Sequence, residues 1–131
     1  MPISFDYAAI RVVPRVDRGE CINAGIILFS STLQFLAAEV VADAKRLEAL
    51  FPGIDYVQIS AYLSLIPRIC AGDPDSGPIG QLPLAGRFHW LVSPRSTVIQ
   101  TAPVHSGFCS DPQVTLRHLM TIMVAMPDYA A

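Results

Sequence analysis

The apolar positions of this chain change their spacing along its length, and the changes mark out the elements. From Ser4 to Val13 the strand formers Tyr7, Ile10, Val12 and Val13 gather ahead of Pro14, which predicts a first strand. Pro14 to Glu20 is polar and carries Gly19, so it reads as a connection. Cys21 to Ser30 is almost continuously apolar, as a strand buried on both faces should be. Gly25 inside that run points to a bulge or a close backbone approach. A short turn over Ser30 to Gln34 leads into Phe35 to Val41. So short a loop permits an antiparallel hairpin and no parallel crossover.

The spacing then becomes helical. Asp43 is placed to cap a short helix with Leu47, Leu50 and Phe51 inward, ended by Pro52-Gly53. Asp55 is placed to cap a second. Its Ile59, Tyr62, Leu63 and Ile66 recur at i, i+3, i+4 and i+7, and Pro67 predicts a kink or an end near Ile66. Ala71 to Pro83, rich in Gly and Pro, reads as a surface loop or flap. Phe88 to Val92 and Ser96 to Thr101 read as short strands separated by Pro94. Asp111-Pro112 opens a last helix over Val114 to Ala125, with Leu116, Leu119, Met120 and Met123 inward. Met126 extends the methionine spacing towards a frayed end, or towards a partner surface. Strands first and helices mostly after predict one α+β domain over residues 1–131: an antiparallel sheet built around the first strand and the hairpin, with the helices on one face.

Composition narrows the functional classes. The chain is 52% hydrophobic and only 15% charged, against a usual charged share of about 25%. That excludes a disordered chain. It also leaves few charges to coat a small surface, so a homodimer or a partner protein is expected. Net charge is −2, with one lysine (Lys45) and eight arginines spread along the sequence, so binding to duplex nucleic acid is not expected. Cys21, Cys70 and Cys109 are odd in number and far apart, which argues against a disulfide framework or a zinc site. No basic leader and no apolar run near the roughly 18 residues of a membrane span is visible, so the expected location is cytoplasmic.

The strongest chemical signal is an omission. From Ser76 through Ser110 there is no Asp or Glu, while Arg87, His89, Arg95, Ser96, Thr97, Gln100, Thr101, His105 and Ser106 all fall there. Such a stretch suits an anion, a phosphate or a carboxylate. The plain alternative is a surface loop with ordinary polar residues. A second segment carries Arg11, Arg15 and Arg18 with Glu20 and Asn23. Asn23 reads as a tie between the 14–20 connection and the sheet, and Glu20 as a surface ion-pair partner. The candidate anion-binding set is Arg11, Arg15, Arg95, Ser96, Gln100 and His105. His105 follows Pro103 in what reads as a loop, whereas His89 reads as partly buried and His118 as solvated. No paired His-x-Thr or His-x-Ser, His-x-His, His-Glu-x-x-His, Gly-x-Ser-x-Gly or lysine-bearing phosphate loop occurs, so no metal and no cofactor are expected. Cys109 reads as a buried structural thiol before it reads as a nucleophile near His105.

Three phrases resemble a bacterial family catalogued as domain of unknown function 3037: Tyr7-x-x-x-Arg11-Val12-Val13-Pro14-Arg15; Arg18-Gly19-Glu20-x-Ile22-Asn23-x-Gly25 running into Ile26-Ile27-Leu28-Phe29; and Arg87-Phe88-His89-Trp90-Leu91 running into Pro94-Arg95-Ser96-Thr97-Val98-Ile99-Gln100. Pro103-Val104-His105-Ser106-Gly107 completes the likeness, and Cys21 departs from it where a larger residue is usual. The resemblance implies a small bacterial protein, often encoded beside a HipA-like kinase-domain protein, and hence a partner in a toxin–antitoxin or defence module. It implies no established activity. Two functional expectations follow. One is a binding or accessory protein that holds an anionic group, such as a phosphate-containing small ligand, and contacts itself or the kinase. The other is an enzyme on a phosphodiester or nucleotide, with His105 as general acid or base and Arg95 stabilising charge.

Overall fold

The structure, a computed structural model, describes residues 2–126. Strand β1 (Ile3–Val12) is central to one antiparallel sheet, with β2 (Ile22–Ser30) and then β3 (Phe35–Val40) on one side. On its other side lie β4 (Ile99–Thr101), beside Ile10–Val12, and β5 (His105–Cys109), beside Ile3–Tyr7. Thr101 stands opposite Ile10 and His105 opposite Tyr7, so β4 and β5 form one interrupted strand with an extra residue at the break. The helices are α1 (Ala44–Leu50), α2 (Tyr56–Ala71), α3 (Leu84–Leu91) and α4 (Pro112–Met123). Among the described residues no helix is long and apolar enough to cross a membrane.

The α+β class, the antiparallel sheet and the hairpin are as the sequence predicts. So are three aspartate caps: Asp43, Asp55 and Asp111 each accept a main-chain N–H from the first turn of α1, α2 and α4. The placement of all helices on one face needs correction. Ala8, Ile10, Val12, Ala24, Ile27, Phe29, Leu36 and Ala38 meet α1, α2 and α3 through Leu47, Ile59, Leu63, Ile69, Phe88 and Leu91. The opposite face, with Phe5, Ala9, Ile26 and Leu28, is covered by Leu116, Leu119 and Val124 from α4 and the residue that follows it. The continuous apolarity of β2 signals this two-sided burial: every residue from Ala24 to Ser30 is buried.

Four further expectations change. Helix α2 runs through Pro67 to Ala71, because the turn beyond it buries Ile69 and Cys70. Burying two such side chains offsets the roughly 3 kcal/mol a mid-helix proline costs. Gly72 then closes the helix in the left-handed region (φ +73°), its N–H donating to Ile69 O and that of Asp73 to Arg68 O. Residues 88–91 are the last turn of α3 and Val92 is its C-cap, so this stretch is not a strand. Leu84, Phe88 and Leu91 reach one core at i, i+4 and i+7, a helical period that the aromatic run conceals. Of 96–101 only Ile99–Thr101 is strand, and His105 opens β5 instead of sitting in a loop. Finally, the 71–83 segment is no free flap. It folds into two short 3₁₀ turns (Pro74–Ser76 and Pro78–Gln81) whose Ser76 and Gly80 are buried. Asp73 organises it, accepting from Arg68 Nε (2.8 Å) and the Asp75 N–H (2.9 Å), and this guanidinium lowers the Asp73 pKa.

Candidate groove beside strand four

Four elements converge where β4 ends the sheet. Helix α2 contributes Tyr62, Leu65, Ile66 and Ile69, a second stripe at i, i+3, i+4 and i+7 that adjoins the core stripe and shares Ile69 with the core. The end of α3 contributes Trp90 and Leu91. Arg95, Thr97 and Val98 of the following loop, with Ile99, Gln100 and Thr101 of β4, close a groove of about 490 Å³. No lining residue is acidic, and most are apolar.

Arg95 is fixed at one end of this groove. Its guanidinium lies 4.4 Å above the Trp90 ring, and it donates to the Trp90 carbonyl in the last turn of α3 and to the Ser93 carbonyl just beyond it. A planar fork with five N–H donors keeps others for a ligand. No carboxylate ion-pairs with Arg95 among the described residues; the arginines that do pair are Arg15, Arg18, Arg68 and Arg117. Thr101 Oγ1 is buried and has no hydrogen-bond partner there. Its cross-strand partner Ile10 faces the α2–α3 side, so this hydroxyl faces the groove. Gln100 is tied back, its Nε2 donating to Thr97 O (2.8 Å).

The sequence-predicted set is only partly gathered. Arg95 and Gln100 both line the groove, but Gln100 stands opposite Arg11, so by alternation its side chain turns to the α4 face; Ser96 is exposed beside the groove and is not part of the lining. His105 stands opposite Tyr7 and packs on its ring (centroids 5.7 Å apart), on the α4 face of the sheet and thus on the other side from Arg95. Arg11 also turns to the α4 face by alternation with Ile10 and Val12, and its Nε is buried without a partner among the described residues. Arg15 is remote, neutralised by Asp17 at 3.0 Å in the exposed β1–β2 connection, and this contact lowers the Asp17 pKa. Arg18 pairs with Glu20 in the same connection.

Other polar groups brace the fold. Asn23 does not tie down the 14–20 connection; its Nδ2 donates to Met123 O (3.2 Å), holding the end of α4 to the sheet. Arg87 donates to Cys70 O and Leu82 O, joining α2 to α3. His89 is exposed instead of partly buried, because Phe88 takes the inward position, and His118 is exposed as read. The thiols are free: Cys21 is exposed, while Cys70 and Cys109 are buried. Burial pushes the Cys70 thiol up to about 12. Cys109 lies four residues from His105 on one extended strand, about 13 Å at strand rise, so they do not form a nucleophile–base pair. Among the described residues no three His, Cys, Asp or Glu side chains are placed to hold a metal.

Of the groove residues only Arg95 and Gln100 belong to the sequence-predicted set; those it missed include Tyr62, Leu65, Ile66 and Ile69 of α2, Trp90 of α3 and Thr101 of β4. The signal for four of them was present as the second stripe of α2. Placing that stripe opposite β4 needs the tertiary fold.

No curated protein and no solved structure matches this chain significantly. The family model described as Protein of unknown function (DUF3037) matches residues 7–124, which include the second half of the sheet's central strand from Tyr7 onward, the hairpin and every residue of the groove. That match covers nearly the whole chain, and the protein belongs to this family.

Proposed function

We propose that this is a small cytoplasmic binding or accessory protein whose groove takes an otherwise apolar ligand by its anionic end. The observation that carries the reading is the pairing of apolar walls with one fixed guanidinium that has no carboxylate partner among the described residues. Ligand sites are typically concave and mostly apolar, with a few placed polar groups that set orientation. A bacterial defence or toxin–antitoxin-like setting, with a HipA-like kinase as partner, is the context that the family resemblance brings to this reading. Contact with that partner, or with a second copy, draws on the exposed apolar side chains of Val57, Phe108, Val114, Ile122 and Met126.

The enzymatic alternative asks Arg95 and His105 to meet at one reacting group. They lie on opposite faces of the sheet, an arrangement that favours binding over catalysis by this pair.

Trp90 is the only tryptophan, so its fluorescence reports on the groove directly. Titration with 4-phenylbutyrate should change that emission at concentrations about tenfold below those needed for the uncharged 4-phenylbutanol. A charge-assisted hydrogen bond of about 1.5–3 kcal/mol accounts for that preference. Arg95→Ala should abolish it. Equal responses to acid and alcohol in the unaltered protein, or no response to either, would remove the proposal.

A further inference from the structure

The free edge of β4 gives the groove a main-chain chemistry that a small anion does not use. The Val13 N–H donates to Val98 O and the Ala102 N–H to Ala9 O. Antiparallel ladders alternate, so the main-chain groups of Val98, Gln100 and Ala102 face β1, and those of Ile99 and Thr101 face away from it. The Ile99 carbonyl agrees with this alternation, since it accepts from Thr97 Oγ1 (2.6 Å) and not from β1. Among the described residues, the outward groups left over are the Ile99 N–H and the Thr101 N–H and C=O, next to the Thr101 hydroxyl, which has no partner there. Among the described residues β4 is the last strand of the sheet at this level, and no further strand takes these groups up.

Resting on the groove reading above, we infer that the ligand class is an extended apolar peptide segment ending in a free carboxylate, added as a strand along the outer edge of β4. Strand addition supplies affinity through the main chain and selectivity through alternate side-chain pockets. Here the alternate side chains would enter between Tyr62, Leu65 and Trp90, and the carboxylate would meet Arg95. The acid-free lining matches a ligand that brings its own negative charge. Unmet main-chain groups in a part-buried edge favour a ligand with a main chain of its own over a compact anion.

The test uses an N-acetylated hexapeptide with valine or leucine at alternate positions, serine between them and a free carboxylate, read by Trp90 emission. Three altered peptides accompany it: the C-terminal amide, and two forms N-methylated on one or the other alternate set of amides. The parent peptide should bind. Amidation should weaken it about tenfold, and Arg95→Gln should erase that difference. Methylation of the set facing β4 should weaken binding by at least about tenfold, and methylation of the other set by no more than about threefold. Two methylated peptides that bind alike would overturn strand addition. Phenylbutyrate binding with no peptide binding would overturn this inference alone, and no binding by either would overturn the groove reading as well.

Discussion

Phe88→Ala is expected to cost about 4 kcal/mol of folding stability, the largest effect of any single truncation in this protein. The ring is 1% exposed and stacks on Phe29 with centroids 5.0 Å apart and planes 23° from parallel. It is the side chain by which α3 grips the sheet, with Leu84 and Leu91 one turn to either side. Removing it costs the transfer free energy of a whole aromatic side chain, plus a cavity that neighbours on a rigid sheet cannot close. Against the roughly 5–15 kcal/mol typical of a folded domain, a large share of stability goes. In urea the unfolding midpoint should fall sharply with an unchanged slope. A loss below about 1 kcal/mol would mean that α3 is not seated on the sheet through this ring. The groove would then lose its Trp90 wall, so the measurement bears on function as well as fold.

Gly25→Val should be nearly as damaging, by about 3 kcal/mol, for the opposite reason. Ala24 and Gly25 together oppose Ile10, where the β1–β2 register shifts. A Cβ placed on Gly25 would run into the Glu39 carbonyl, and would sit 2.9 Å from Val40 Cγ1 and 3.2 Å from Ile10 Cδ1. The first neighbour is main chain of β3, so relief requires the ladder itself to move. Overpacking alone costs about 1–3 kcal/mol, and the backbone displacement adds to it. Thermal unfolding should show the drop. A Gly25→Val protein as stable as the original would contradict the close approach of β2 and β3 at this bulge.

Local chemistry was the legible part of this sequence. Asp43, Asp55 and Asp111 announce helix starts because a capping carboxylate acts within three residues. Gly25 announces the bulge, and the unbroken apolarity of β2 announces burial on both sides. What the local pattern did not carry was competition between periods. Phe88-His89-Trp90-Leu91-Val92 has strand-forming residues, yet Leu84 and Leu91 supply a helical stripe that tertiary burial selects. His105-Ser106-Gly107 looks like a loop because an edge strand buries little: Phe108 is 76% exposed, and Cys109 alone among the β5 residues is buried. The candidate site was half legible. The absence of acids around Arg95 is a sequence fact, and it survives as the charge character of the groove. Proximity in sequence did not become proximity in space for His105, because the extra residue between β4 and β5 and the alternation along them turn it to the α4 face. The apolar walls come from α2, some thirty residues earlier, which only the fold brings alongside.

The most direct measurement of whether the groove is the binding site is a map of backbone amide and arginine Nε chemical shifts during a 4-phenylbutyrate titration. The groove reading predicts changes concentrated at 62–69 and 90–101, with the Arg95 Nε among the largest. Changes centred on Tyr7 and His105, or on the Arg15 to Glu20 connection, would contradict it.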